Sequence, residues 1–229
     1  MIKVYISPSV QEKNIGYGNY KSEEYRANII ADTTEKELKR HGIVTKRNNP
    51  EMTLKQIVKD SNDFIPNVHK AIHTNAYDSK SRGCEVFCNK FGGEGHKLAK
   101  SVYNRISAIT PTADRGVKEG YNNYGKGKHM YELYYTKAPA ALTEVAFHDN
   151  PEDSKWIIDN TEMIGIELAK GILDYFKINY IPEISKEIYY RVISGSFRDK
   201  ENAENHCKNL IQHGFDSFIM EYKKWYFLN

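Results

Sequence analysis

The 229-residue chain contains no run approaching the ~20 consecutive apolar residues of a membrane helix. Its opening, Met-Ile-Lys-Val-Tyr-Ile-Ser-Pro, lacks a basic stretch followed by a long apolar one. Neither membrane insertion nor a secretory signal is therefore expected. There are only 3 cysteines, an odd and small number that excludes a disulfide framework and suits a reducing compartment. No excess of one charge stands out either: 33 Lys+Arg against 30 Asp+Glu leave a formal net charge of +3, too mild for a protein whose main business is nucleic acid. What is present is 40% hydrophobic and 28% charged residues, the balance of a globular chain with a core.

Strand and helix signals alternate. Ile2–Ile6 reads as a strand leading into Ser7-Pro8-Ser9 and a loop with Gly16 and Gly18. Ser22 can cap a helix to about Arg40, closed by Gly42. Pro50 suits the start of a second helix through Leu54, Ile57 and Val58. Val68–His73 and Cys84–Phe87 read as strands, and Leu98, Val102, Ile106 and Ile109 mark an amphipathic helix. Pro111–Lys128 is a long Gly/Asn/Lys-rich loop, of the kind that carries function. Ala140–Phe147 is a buried strand, followed by helices over Pro151–Ile158 and Glu162–Phe176. The expected fold class is α/β, a mostly parallel twisted sheet flanked by helices, with a small α+β unit at the C-terminus. The boundaries fall at 1–177, a linker over 178–186, and 187–229.

Three residues sit where α/β proteins bind ligands, near the carboxyl ends of strands. Glu24 lies in the first turn of the first long helix, His73 ends a strand in Ala71-Ile72-His73-Thr74-Asn75, and Glu144 interrupts the apolar run Leu142–Phe147. A carboxylate inside such a run is costly unless it is paired, hydrogen-bonded or metal-linked. Each has a plainer reading: Glu144 as a strand-end partner for Lys or Arg, His73 as a hydrogen-bonded core histidine, Glu24 as a complement to the helix dipole. Cys84 and Cys88 share one strand face and read as packing.

Five stretches, in order over most of residues 1–176, resemble the zinc-dependent N-acetylmuramoyl-L-alanine amidases of the Amidase_3 type. They are Glu24-Tyr25-Arg26-Ala27-Asn28, Ala71–Ala76, Gly83-Cys84-Glu85-Val86, Arg115-Gly116-Val117-Lys118, and the long run Lys137–Asp153. The resemblance implies a peptidoglycan hydrolase that splits the bond between N-acetylmuramic acid and L-Ala. It makes Glu24 and His73 zinc ligands and Glu144 the general base; Asn75, Arg115 and Lys118 are candidates for holding peptide or sugar, with a solvated loop as the plainer reading of each. One departure stands out. The family's Pro-Gly-His after the first strand is replaced by Ser7-Pro8-Ser9-Val10-Gln11-Glu12, so Gln11 is the positional substitute for the missing ligand and Glu12 the next. A neutral amide is a poorer zinc donor than imidazole. The alternatives are a wall-binding protein with an inactive amidase-like domain, and a zinc peptidase acting on stem peptides.

Past the linker, a strand over Ile188–Ser194, a helix over Lys200–His213 ended by Gly214, and a strand over Phe215–Tyr222 resemble the first half of a SPOR unit; Trp225–Leu228 could add a third strand. Such units bind peptidoglycan glycan. A half-unit of ~40 residues is small to fold alone, so a homodimer through it is expected. The whole resembles phage or prophage endolysins, made in the cytoplasm and reaching the wall after release by a holin or by lysis.

Overall fold

The computed structural model describes residues 1–112, 115–183 and 192–221. The chain divides into two compact units, Met1–Pro182 and Glu183–Asn229.

The first unit is built on six strands: β1 (Lys3–Pro8), β2 (Val44–Arg47), β3 (Val68–Asn75), β4 (Glu85–Cys88), β5 (Val117–Glu119) and β6 (Ala140–Phe147). Their order is β2-β1-β3-β6-β4-β5. The first four of these are mutually parallel; β4 runs antiparallel to β6, and β5 parallel to β4. The sheet is thus mostly parallel, as the alternation of strands and helices requires. Helices α1 (Glu23–Arg40), α3 (Glu94–Ile109) and α6 (Thr161–Tyr175) pack on one face, while α2 (Leu54–Phe64) and α4 (Tyr131–Tyr135) lie on the other. Helix α5 (Pro151–Asp159) follows β6 directly, with Asn150 capping it by accepting from the amides of Glu152 and Asp153.

The main core joins Val4, Ile6, Val68, Ile72, Val86 and Val145 of the sheet to Ala27, Ile30, Ala31 and Leu38 of α1, Leu98 and Val102 of α3, and Ile164, Leu168 and Ile172 of α6. In α1 these residues recur at helical spacing, which is why this stretch is a helix with one buried stripe. Helices α1 and α6 approach closely because Gly165 has no side chain: a Cβ there would lie 2.6 Å from Thr33 Cβ and 2.8 Å from the Ile30 carbonyl. A smaller cluster of Ala71, Phe87, Leu142, Met130 and Leu133 fills the opposite face under α4.

Several expectations need correction. The second helix starts at Leu54, not at Pro50, because Thr53 and Gln56 form a reciprocal capping box there. The edge strands β2 and β5 and the short helix α4 had no clear periodic signal. Residues 178–181 are not free linker: Ile178 packs on the core, Tyr180 stacks on His41 at 5.1 Å, and Arg40 donates to the Ile181 carbonyl. In the second unit, α7 (Lys200–Gln212) forms as expected, capped by Asp199 and followed by Gly214 at φ +86°. Residues 215–221 show no ladder to any other described segment, and a strand exists only through its pairing. Most of the expected strand Ile188–Ser194, and all of Trp225–Leu228, lie outside the described residues. Among the described residues no helix is long and apolar enough to cross a membrane.

Candidate active site

Strand register builds the site. His73 on β3 is the neighbour of Glu144 on β6, and Glu144 is in turn the neighbour of Glu85 on β4. Because side chains alternate across a sheet, these three stand in one row on the face away from the main core. Glu144 is held there with little solvent; its Oε2 is buried and has no hydrogen-bond partner. Burial pushes its carboxyl up to about 7, with Glu23 and Glu85 adding to the rise and His73 and Lys70 opposing it.

The acid that meets His73 is Glu23, not Glu24. Glu23 Oε1 accepts from His73 Nδ1 at 2.8 Å, and Asn14 Nδ2 donates to Glu23 Oε2 at 2.7 Å. The Glu23 amide donates to the Asn14 carbonyl, and Ser22 caps the helix by accepting from the Tyr25 amide. Together these contacts fix the rotation of the first turn of α1. Successive helical residues diverge by ~100°, so Glu24 turns away to a half-exposed position. There, burial and the charges of Glu12 and Glu51 raise its carboxyl. Glu23 is fully buried. Burial works against its charge, but the hydrogen bonds from His73, Ser9 and Asn14 overcome it and lower the carboxyl. The His73 imidazole is likewise pulled down by burial, yet Glu23, Glu144 and Glu132 raise it to about 9.

Gln11 is exposed and lines a shallow pocket with Val10, Glu12, Lys13 and Asn14. Ser9 and Asn14 are the residues of this loop that reach Glu23, and Asn14 Oδ1 also meets His148 Nε2 at 3.1 Å. His148 is buried and bonded through Nδ1 to Thr74 Oγ1, which in turn meets the Tyr20 hydroxyl at 2.6 Å. Gly16 lets this loop close: a Cβ there would lie 2.4 Å from the Tyr20 ring and 2.9 Å from the His148 carbonyl.

A fourth acid, Glu132 on α4, was not anticipated. It accepts from His69 Nε2 at 2.7 Å and lies 4.0 Å from His73 Nε2. His69, four residues before His73, is thereby tied to the site through Glu132 although it sits deep in the strand; its Nδ1 meets Ser61. Burial would raise the Glu132 carboxyl, but His69, His73 and Ser7 lower it. The available sequence signal was a lone acid among Tyr131, Leu133, Tyr134 and Tyr135, the same kind of anomaly as Glu144.

Asn75, Arg115 and Lys118 are brought together by Glu85. Asn75 Nδ2 donates to Oε1 at 2.7 Å, Arg115 Nε donates to Oε2 at 3.0 Å, and Lys118 Nζ bonds the same Oε2. Of the expected set, then, the structure joins His73, Glu144, Asn75, Arg115 and Lys118, exchanges Glu24 for Glu23, and leaves Gln11 outside. Among the described residues no group of three or more His, Cys, Asp or Glu side chains stands ready to hold a metal ion.

The family model described as N-acetylmuramoyl-L-alanine amidase matches residues 4–174, three quarters of the chain. The chain belongs to this amidase family. A SPOR domain model matches residues 168–221, beginning inside α6. Among curated proteins the amidase-family chain is similar to an uncharacterized cell wall amidase of Bacillus anthracis, 30% identical over 118 residues, which are 47% of this chain and 20% of the relative. It spans about a fifth of the length of the curated relatives it matches. Among solved structures it is similar to the catalytic domain of CwlV, an N-acetylmuramoyl-L-alanine amidase from Bacillus (Paenibacillus) polymyxa var. colistinus. That match has a TM-score of 0.69 and 23% identity and covers 78% of this chain and 100% of the other. Cwp6 from Clostridium difficile matches at a TM-score of 0.69 and 26% identity, over 76% of this chain and 29% of that one.

Proposed function

We propose that this chain hydrolyses the amide between the lactyl group of N-acetylmuramic acid and L-Ala of the stem peptide, with Glu144 as the proton carrier and a zinc ion at His73 and Glu23. The observation that carries this reading is the placement of Glu144: beside His73 in the strand register, with Oε2 buried and unpartnered, while burial raises its carboxyl to about 7. A group with that affinity can accept a proton from the attacking water and return it to the leaving nitrogen, since transfer is most efficient when the pKa lies near the working pH.

The donor chemistry fits zinc at two positions. His73 Nδ1 and Glu23 Oε1, an imidazole nitrogen and a carboxylate oxygen 2.8 Å apart, are donor types that zinc favours and would hold it. Two further acids, Glu132 and Glu144, face His73 and add negative charge that a divalent cation would offset. When bound, the ion supplies Lewis acidity that makes water a nucleophile near neutral pH. Asn14 and Thr74 hold the Glu23 carboxylate, and Glu132 braces His73 from its other edge. Membership of the family, together with the SPOR match, supports peptidoglycan as the substrate, the C-terminal unit concentrating the enzyme on the insoluble wall. Lysis of the cell after release to the wall, as by an endolysin, is the physiological outcome this reading carries.

The test is Glu144→Gln on purified sacculi, following new alanine amino termini. Release should fall by roughly three orders of magnitude, while zinc content measured by atomic absorption stays with the protein. Chelation should abolish release, and added zinc should restore it. Undiminished release in either case overturns the reading. One fact favours a second reading, a wall-binding protein with a silent amidase-like body: among the described residues no three His, Cys, Asp or Glu side chains converge as a metal-holding group. Wild-type protein that binds sacculi and liberates no amino termini would establish it.

A further inference from the structure

The Arg115 guanidinium is fixed on two sides. Its Nε donates to Glu85 Oε2 at 3.0 Å, and its plane lies over the Phe147 ring, with Cζ 4.8 Å from the ring centre. Glu85 is an unusual anchor, a carboxylate 4% exposed that also receives Asn75 and Lys118. Two cations therefore share one carboxylate, which leaves a unit of positive charge at a place solvent can reach: the Arg115 side chain is 32% exposed and that of Lys118 40%. Arg115 spends only Nε on the protein, so its outer pair of nitrogens, the edge that grips a carboxylate with two parallel hydrogen bonds, is unused among the described contacts. The register places this fork beside the chemistry, since Glu85 is the cross-strand neighbour of Glu144.

We propose that Arg115 recognises a free carboxylate on the peptide side of the scissile amide, so that the enzyme prefers stem peptides whose acidic residue is unamidated. This rests on the amidase reading. The chemistry selects the ligand. A rigid planar fork with one net positive charge matches a planar monoanion, whereas an N-acetylated sugar offers no charge and a carboxamide leaves the cation unpaired. Lys118 keeps Glu85 neutralised while Arg115 engages substrate, and Asn75 fixes the carboxylate's other oxygen, so the fork is held before substrate arrives.

The experiment uses the full chain and two soluble muramoyl peptides that differ only in one peptide carboxyl, free in one and a carboxamide in the other. Wild-type enzyme should favour the acid by about 10- to 100-fold in kcat/KM, carried mainly in KM, the range of one charge-assisted contact. In Arg115→Gln this ratio should collapse towards one. Arg115→Lys should recover only part of it, because an ammonium is a point charge without the fork. A wild-type ratio near one, or a ratio unchanged in Arg115→Gln, overturns the proposal. If neither substrate is cleaved, it is the amidase reading that fails, and equilibrium titration with the glycan-free peptide pair decides the carboxylate site separately. Tighter binding of the acid that is lost in Arg115→Gln supports the site, and equal binding of acid and amide removes it. Thermal melts of both variants show that each is folded, with Arg115→Lys carrying the test if Arg115→Gln is not.

Discussion

The two faces of strand β3 obey opposite rules although their residues alternate one by one. On one face stand His69, Ala71 and His73; on the other, Val68, Lys70, Ile72 and Thr74. The first face is polar, and its acids come from α1, α4 and β6. Glu23 and Glu132 there are answered by imidazoles at 2.8 and 2.7 Å, and one atom, Glu144 Oε2, stays orphaned where the chemistry is proposed. The second face is the main core, and it too carries a misfit. Lys70 is fully buried between Ile6 and Ala141, its register neighbours, with its ammonium donating to the Ala71 carbonyl. Thr143 Oγ1 on the same face is also unpartnered. The unmet oxygen on the first face belongs to a half-buried side chain beside the half-buried His73, at the proposed reaction centre. On the second a misfit is a cost with no return in the proposed reaction, since Lys70 and Thr143 are sealed in the core.

This contrast can be broken from the polar side first. Glu23→Ala removes the acceptor for His73, Asn14 and the Thr74 amide together. Loss of release from sacculi by a factor on the order of a thousand is expected, together with a destabilisation of about 3 kcal/mol in urea unfolding from the stranded buried donors. Wild-type stability in this variant would mean that the Glu23–His73 pair does not organise the site.

The core side should respond in the opposite direction. Burial pushes the Lys70 amine down to about 7 from 10.5, with Glu132 and Glu144 opposing the fall from across the sheet. A lowered amine pKa means that the folded state resists the charged form. The penalty is absent above about 10.5, grows as the pH falls through that window, and is complete below about 7. Wild-type stability should therefore rise between pH 7 and pH 10 by several kcal/mol in this contribution. Lys70→Met should remove that slope and be the more stable protein at pH 7. Parallel pH dependences of the two proteins in denaturant titrations would refute it. The smallest effect separates neighbours: Glu24→Gln should leave wall hydrolysis within about two-fold of wild type and stability within ~0.5 kcal/mol, because the lost helix-dipole interaction is offset by relief from Glu12 and Glu51. A large loss of activity would return the ligand role to Glu24.

Much of this was readable beforehand, and the failures have physical causes. The strand at Ala140–Phe147 follows from a largely apolar run, and the helix after it from a capping Asn150 and Pro151. Glu144 and His73 were conspicuous because a charged or titratable group on a buried strand demands an explanation. The adjacent acids Glu23 and Glu24 both fall in a first helical turn, and the buried stripe of α1 accommodates either, seven residues ahead of Ile30 or of Ala31. The choice between them came from Asn14, whose carbonyl and amide seize the first turn from outside the helix. Gln11 was expected at the site by position alone, but the loop after β1 turns at Ser9 and delivers Asn14 instead. Glu132 escaped because a five-residue helix has too few turns to show a period.

Local composition and periodicity were enough to dictate most of the helices and strands, that the sheet is mostly parallel, and that His73 and Glu144 each stand near the carboxyl end of a strand. These depend on interactions within a few residues or on the two-residue alternation of a strand. Long-range packing alone could set which acid touches His73, that Glu85 gathers Asn75, Arg115 and Lys118, and that Lys70 is sealed in the core. Each of those facts depends on the rotation of a helix or the register between strands distant in the chain, and no local pattern encodes either quantity.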